Sequence, residues 1–215
     1  MSKPELSGLY CITDPELTRQ SPLSIEQMVE QAILGGARII QYRDKSAPRS
    51  QQVDTADRLC RICRQHSVVF LINDDPQLAK SVEAHGVHLG QTDSKLLDAR
   101  QLLGEDKIIG ITCHADIKLA NKAAQQGADY VAFGRFFPSQ TKPEASPAPI
   151  DLLAQAHREL SIPITAIGGI TKDNAAGLLE AGANMLAVIH GVFGQADIQQ
   201  AATNFARLFV SSQGS

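Results

Sequence analysis

The chain has 215 residues, of which 20% are charged, and its formal net charge is −3. It has no basic stripe, so nucleic acid is not an expected partner. No apolar run approaches the roughly 18 residues of a membrane span. The N-terminus lacks the apolar segment of a signal peptide, and we expect a cytoplasmic protein that makes no membrane contact.

Eight short apolar or β-branched runs alternate with helical stretches along the whole chain, each with the length of a buried parallel strand. The runs cover residues 9–13, 38–43, 68–73, 86–91, 108–113, 130–135, 164–169 and 186–191. This alternation predicts an α/β fold, a closed (β/α)₈ TIM barrel. A doubly wound open sheet is the alternative, but it usually has a Gly-rich first turn, and the first turn here reads TDPELT. We predict one domain over residues 1–215, with a frayed tail at 211–215.

Apolar residues recur at helical spacing between the strand segments. The first helical stretch begins with Ser24 and Gln27, which together resemble a capping box. A later stretch carries Cys60 and Cys63 as a CxxC pair. A redox CxxC normally opens a helix after a strand, so we interpret these two thiols as buried core residues.

Polar side chains are concentrated at the carboxyl ends of the predicted strands, which meet at one mouth of a barrel. Gln41, Arg43 and Lys45 alternate by two, so an extended chain points them to one side. Arginine can fork onto phosphate oxygens and lysine supplies a point charge, so this cluster predicts an anion site. The alternative is a solvated strand end that carries two cations.

Two carboxylates, Asp74 and Asp93, follow the third and fourth predicted strands, which are neighbours in a barrel. They suit Mg²⁺, which takes few protein ligands and completes its shell with water and phosphate oxygens. The alternative is helix capping. We assign the cap to Asp75, which precedes Pro76, whereas Asp93 is placed both to cap and to ligate.

Glycines end the last two predicted strands, with Gly168 and Gly169 after the seventh and Gly191 after the eighth. Loops at these positions form the usual phosphate site of barrels through backbone N–H groups. The mouth therefore predicts two anion sites, one cationic and metal-assisted, the other lined by backbone. The long proline-rich stretch 135–149 is a candidate functional loop.

Seven segments spread over nearly the whole chain are QYRDK, INDD, GVHLGQTD, GITCH, GADYVAFGRFFPSQTKP, AIGGIT and AVIHGVF. In content, order and spacing they resemble the thiamine phosphate synthase family. The resemblance implies a Mg²⁺-dependent transferase that acts on a pyrimidine diphosphate and a thiazole phosphate, carboxylated or not. Pyrophosphate leaves the pyrimidine methylene carbon, and the thiazole nitrogen attacks that carbon. Such a reaction needs charge stabilisation of the leaving group more than it needs a base.

The resemblance also assigns roles to individual residues. It implies catalytic roles for Arg43, Lys45, Thr112 and Lys142. It implies substrate binding by Gln41, Tyr42, Arg43, Asp44, Lys45, Asn73, Thr112, Ser139, Gln140, Thr141, Lys142, Gly169, Ile189 and His190. It places one Mg²⁺ per active site on Asp74 and Asp93.

The chain departs from the family pattern at a few positions. The family usually has Ser at position 112 and Thr at position 139, where this chain has Thr112 and Ser139. At His190 and Gly191 the family usually has Ser-Ala, so this change bears on the thiazole phosphate site.

Two alternative functions of the same barrel family are compatible with the predicted fold. A thiazole tautomerase would lack the metal carboxylates and the diphosphate cluster, both of which this sequence carries. A catalytically inactive relative that binds thiazole phosphate as a regulator would be distinguished by turnover. The sequence leaves the oligomeric state open, and a homo-oligomer is compatible with it.

Overall fold

The computed structural model describes residues 3–93, 95–138 and 146–211. Within these ranges parallel strands pair in chain order and close into an eight-stranded barrel. The strands are β1 (Gly8–Ile12), β2 (Ala37–Tyr42), β3 (Val69–Asn73), β4 (Gly86–Leu89), β5 (Ile108–His114), β6 (Tyr130–Phe133), β7 (Ile164–Ile167) and β8 (Met185–Val188). Pairing of β1 with β8 closes the barrel and confirms the predicted (β/α)₈ fold.

Helices follow the strands and form the outer layer. They are α1 (Pro15–Gln20), α2 (Ile25–Leu34), α3 (Arg49–Gln65), α4 (Pro76–Ser81), α5 (Leu96–Leu103), α6 (Ile117–Gln125), α7 (Asp151–Glu159), α8 (Ala176–Glu180), α9 (His190–Phe193) and α10 (Ile198–Ser211). In the ranges that the structure describes, none combines the length and apolar character needed to cross a membrane.

Local chemistry sets several helix boundaries. Ser24 Oγ accepts a hydrogen bond from the Gln27 backbone N–H, and the Gln27 side chain accepts one from the Ser24 N–H. This is the predicted capping box at the start of α2. The Asp75 carboxylate caps α4, as predicted, by accepting from a backbone N–H of its first turn. Cys60 and Cys63 are buried on α3.

The core has two apolar layers, because successive strand side chains point to opposite faces. Tyr10, Leu71 and Tyr130 are among the residues that point inward and fill the barrel. Leu9 and Cys11 alternate with Tyr10 and pack outward against the helices. A filled barrel interior leaves ligand space at the ends of the strands.

Candidate active site

A cavity of about 540 Å³ opens at the carboxyl ends of the strands. The structure places the following predicted site residues on its wall: Gln41, Arg43, Lys45, Asn73, Asp74, Asp93, Thr112, Gly169, Ile189 and His190. Residues that follow β2 and β8 therefore share one space although the chain separates them by well over a hundred positions. This convergence is a property of the barrel, whose strand ends meet at one mouth.

Two predicted substrate-binding residues lie beside this cavity. Tyr42 and Asp44 line a smaller, adjoining cavity of about 280 Å³. Tyr42 follows the inward-pointing Gln41 by one position, so its ring points away from the barrel interior and packs in the outer core. The Asp44 carboxylate accepts hydrogen bonds from backbone N–H groups of the next turn. The remaining predicted residues lie outside the described ranges: Ser139, Gln140, Thr141 and Lys142.

Asp74 and Asp93 form a carboxyl pair at the cavity rim. Their carboxyl groups lie within hydrogen-bonding distance of one another, and Lys45 Nζ lies 2.7 Å from Asp74 Oδ2. Burial opposes ionisation of Asp74, but hydrogen bonds from Lys45 and Asp93 hold its pKa below the ordinary value. Burial and the Asp74 carboxylate raise the pKa of Asp93. Crowded negative charge of this kind favours a bound cation.

Asp93 does not cap the helix that follows it, so the capping interpretation of this residue is wrong. Helix α5 begins at Leu96, and the residue before it, Lys95, makes no side-chain cap. Asp93 Oδ2 instead accepts a hydrogen bond from the Gly90 N–H at 2.8 Å. Asp74 has a left-handed backbone with φ 63°, a conformation that few residues other than glycine adopt. Such strain tends to collect at functional sites.

The glycines after β7 and β8 are held by close backbone contacts. Gly169 has φ +64°, and a Cβ built on it would lie 2.2 Å from the Pro138 carbonyl oxygen. No side chain fits there, so the loop after β7 lies directly against the chain after β6. A Cβ on Gly191 would lie 2.8 Å from the Ile170 carbonyl oxygen. Glycine at 191 thus fits this backbone where an alanine would require a shift.

A row of hydrogen bonds crosses the barrel beneath the cavity. Thr112 Oγ1 lies 2.8 Å from His88 Nε2, and His88 Nδ1 lies 2.8 Å from the Tyr130 hydroxyl. The hydroxyls of Tyr130 and Tyr10 are 2.9 Å apart, and Tyr10 donates to Gln41 Oε1. Burial raises the pKa of both tyrosines far above the ordinary value, so each hydroxyl keeps its proton at neutral pH.

The row continues on the other side of the barrel. Gln41 Nε2 donates to Asn73 Oδ1 at 2.6 Å. Asn73 Nδ2 donates to Asp74 Oδ2 at 2.6 Å. The Thr112 hydroxyl on β5 and the Asp74 carboxylate after β3 are therefore joined through side chains alone. We call this set, from Thr112 through His88, Tyr130, Tyr10, Gln41 and Asn73 to Asp74, the floor chain.

Tyr10 and Tyr130 were not predicted to belong to the site, because buried aromatic residues in strands look like ordinary core. A signal exists in the sequence at position 110, where a glycine interrupts the apolar run of β5. Gly110 is the register partner of Tyr130 and leaves room for its ring. The cavity wall also includes His114 and Arg135, which received no role from the sequence.

Fold and site together define a (β/α)₈-barrel protein whose cavity, at the carboxyl ends of its strands, carries both cationic and anionic side chains. Residues 9–192 match the family model described as thiamine monophosphate synthase. The chain belongs to the thiamine monophosphate synthase family, as its motifs predict.

Individual relatives match over most of the chain. A thiamine-phosphate synthase of Marinobacter nauticus is 52% identical over 204 residues, which cover 94% of this chain and 90% of the relative. A thiamine-phosphate synthase of Alcanivorax borkumensis is 48% identical over 211 residues, which cover 97% of this chain and 96% of the relative. The solved thiamine phosphate pyrophosphorylase from Pyrococcus furiosus has a TM-score of 0.88 at 31% identity, covering 96% of this chain and 97% of that one. The similarity thus extends over the strand ends that form the cavity.

Proposed function

We propose that the protein makes thiamine phosphate by joining an aminopyrimidine that carries a diphosphooxymethyl group to a thiazole phosphate, with release of pyrophosphate. One observation carries the proposal: Arg43, Lys45, Asp74 and Asp93 share one wall of the cavity. A reaction that expels diphosphate needs stabilisation of negative charge at the leaving group. Two cations beside a carboxyl pair that suits a metal supply it, and family membership supports the same reaction.

The proposed chemistry uses position and charge. Arg43 binds diphosphate oxygens through its forked donors, and Lys45 adds a mobile point charge. Thr112, on β5, orients the pyrimidine. The bond between the methylene carbon and the diphosphate oxygen breaks, and its electron pair leaves with pyrophosphate. The thiazole ring nitrogen then donates its lone pair to that carbon, so the bond-forming step transfers no proton and needs no base.

Asp74 and Asp93 fit a Mg²⁺ ion. This ion is commonly bound by one or two carboxylates together with substrate phosphates and water. Over the described ranges, no group of three or more His, Cys, Asp or Glu side chains is arranged to hold a metal. When bound, Mg²⁺ would neutralise charge on the departing diphosphate. The Asp74 carboxylate raises the pKa of Asp93, and a cation bound between the two would relieve this repulsion.

The thiazole phosphate is assigned to the opposite side of the mouth. Gly169, Ile189 and His190 line the cavity there. His190 is the first residue of α9, where backbone N–H groups have no partner within the helix. Such groups suit a phosphate. A reducing cytoplasm would suit the four buried thiols of the chain.

The decisive experiment is turnover. The purified full-length protein is incubated with both substrates and Mg²⁺, in the presence and absence of EDTA, while thiamine phosphate and pyrophosphate are followed. We expect equal amounts of both products with Mg²⁺ and neither with EDTA. Isomerisation of the thiazole without the pyrimidine would establish the tautomerase instead. Tight binding of thiazole phosphate without turnover would establish the regulator.

A further inference from the structure

Each hydroxyl and the neutral imidazole of the floor chain can donate only one hydrogen bond. The donor and acceptor roles along the chain are therefore linked, and all its hydrogen bonds run in the same direction. We infer that Tyr10 and Tyr130 are positioning residues that transmit this direction across the barrel, and that Thr112 consequently offers a ligand acceptor lone pairs only. The identity of the ligand rests on the proposed function, whereas the direction of the hydrogen bonds does not.

The Asp74 carboxylate fixes the direction of the hydrogen bonds in the floor chain. Asp74 is ion-paired with Lys45 at 2.7 Å, and an ionised carboxylate can only accept hydrogen bonds. Asn73 must therefore turn its amide nitrogen toward Asp74, which leaves Asn73 Oδ1 to accept from Gln41 Nε2. Gln41 then presents its carbonyl oxygen to Tyr10. The single proton of the Tyr10 hydroxyl is used on this contact.

The remaining hydrogen bonds of the floor chain, up to Thr112 on β5, have to follow the same direction. Tyr10 has no proton left, so at 2.9 Å it accepts from Tyr130. Tyr130 in turn accepts from His88 Nδ1–H. His88 is 9% exposed, where a charged ring would be costly, and a neutral ring with its proton on Nδ1 has a bare Nε2. Thr112 gives its only proton to that nitrogen, at 2.8 Å.

The reverse arrangement, in which every donor and acceptor of the floor chain exchanges roles, is excluded by the contact between Asn73 and Asp74. Reversing every bond would require both amides to flip, which would aim Asn73 Oδ1 at the Asp74 carboxylate. Two acceptor oxygens would then face each other at 2.6 Å, the present distance between Asn73 Nδ2 and Asp74 Oδ2. One arrangement therefore satisfies every member.

The Thr112 hydroxyl faces the cavity, so its donor or acceptor role decides which ligand groups it can bind. An unconstrained hydroxyl serves ligand donors and acceptors alike, because it can rotate. With its proton committed to His88, Thr112 favours a ligand N–H, such as the amino group of the pyrimidine, and disfavours a ligand carbonyl. Tyr10 and Tyr130 are 1% and 0% exposed, so they act on the ligand through their neighbours.

The direct test is the protonation of His88. In ¹⁵N spectra of histidine-labelled full-length protein, assigned by loss of the signals in His88→Gln, we expect His88 Nδ1 protonated and Nε2 bare. Tyr130→Phe keeps the ring and removes the acceptor of Nδ1–H, so the proton should move to Nε2. Thr165→Val is the matched control. It removes a fully buried hydroxyl whose contact is Met185 Sδ at 3.8 Å, and should leave the His88 signals unchanged.

A second variant tests the same relay from the other side. Tyr10→Phe removes the acceptor of the Tyr130 proton, which can then turn toward His88 Nδ1 and drive the same shift to Nε2–H. This variant keeps the test decisive if Tyr130→Phe does not fold. A wild-type His88 protonated at Nε2 or at both nitrogens would overturn the inference, as would unchanged His88 signals in the folded variants.

Binding reports the effect on the ligand without turnover. Calorimetry compares the aminopyrimidine diphosphate with an analogue whose amino group is replaced by an oxo group. We expect wild type and Thr165→Val to prefer the amino compound, and Tyr130→Phe to lose roughly tenfold of that preference, the effect of one hydrogen bond. An unchanged preference in Tyr130→Phe would overturn the role of Thr112. A wild type with the expected His88 proton and no thiamine phosphate synthesis would instead overturn the proposed function.

Discussion

Lys45 Nζ lies 2.7 Å from Asp74 Oδ2, so the lysine that we assign to the diphosphate neutralises one of the carboxylates that we assign to Mg²⁺. This side chain occupies one side of the carboxyl pair. A metal ion on Asp74 would compete with it. The displaced ammonium would then be available to the diphosphate that arrives with the metal.

Replacing this lysine should therefore separate metal binding from turnover. In Lys45→Gln we expect Mg²⁺ to bind the substrate-free protein about fivefold more tightly, because the competing cation is gone. Turnover should fall, because the diphosphate loses a charge. Calorimetric titration with Mg²⁺ measures the first effect, and Lys45→Arg, which keeps the charge, should bind Mg²⁺ as wild type does. Weaker Mg²⁺ binding in Lys45→Gln would contradict the competition.

The carboxyl pair should control catalysis while the neighbouring cap controls stability. We expect Asp74→Asn and Asp93→Asn each to lower kcat by about a hundredfold or more and to shift the Mg²⁺ dependence, because charge stabilisation at the leaving group is lost. Asp75→Ala removes the cap of α4 and should cost about 1 kcal/mol of unfolding free energy. Its Mg²⁺ dependence should stay that of wild type. Unchanged kinetics in both Asn variants would show that the pair has only a structural role.

His190 is a departure from the family pattern on the cavity wall, beside the proposed thiazole phosphate site. An imidazole N–H can add a hydrogen bond to a phosphate, while backbone N–H groups carry the remainder of the contact. We expect His190→Ser to raise the KM for thiazole phosphate up to about tenfold, the effect of one hydrogen bond. The kcat should change little, because this contact is made equally in ground and transition states. An unchanged KM in His190→Ser would show that the backbone N–H groups alone bind the phosphate at this position.

His85 should make the fold less stable in mild acid. Its Nδ1 accepts the Phe70 backbone N–H at 3.0 Å, and burial, with Lys107 and Arg64 nearby, lowers the pKa of the ring. A lowered folded pKa means that the stabilisation is complete above the unfolded value of about 6.5 and is lost as pH falls through the folded value.

The corresponding variant is His85→Asn, which can keep an acceptor and does not titrate. Urea unfolding of wild type between pH 7.5 and pH 5 should show a loss of up to about 1.4 kcal/mol per pH unit from this single proton, and His85→Asn should lack that part. His157→Asn, a change on the exposed face of α7, is the control and should keep the wild-type slope. Equal slopes for wild type and His85→Asn would assign the acid sensitivity to other groups.

The fold was readable because each element has a strong local signal. Alternating runs of β-branched residues and amphipathic stretches give the barrel, and Ser24 with Gln27 marks the start of α2. The role of Asp93 could not be predicted from the neighbouring sequence alone. The residues after it look like a helix start, yet α5 begins later, and the carboxylate bonds the Gly90 N–H and lies beside Asp74. Only the pairing of β3 with β4 decides between these uses.

The site residues at strand ends could be predicted from the sequence, whereas those inside the barrel could not. Gln41 and Arg43 follow from strand position, because strand ends converge, and the family resemblance adds Asn73 and Thr112. The meeting of Tyr10 and Tyr130 depends on the register of strands that are 120 residues apart in the chain, and no short-range pattern encodes that register. Family resemblance supplied roles for the outer residues and none for these two tyrosines.

Gly110 and Tyr130 are register partners across β5 and β6, and a Cβ on Gly110 would lie 2.0 Å from Tyr130 Cζ. The two positions are therefore sterically coupled: any larger residue at 110 displaces the ring, and the hydroxyl goes with it. In an alignment of homologues this coupling would appear as covariation, with glycine at one column accompanying tyrosine at the other. A residue without any functional group thus becomes a marker, readable from sequence alone, for homologues that discriminate between substrates in the same way.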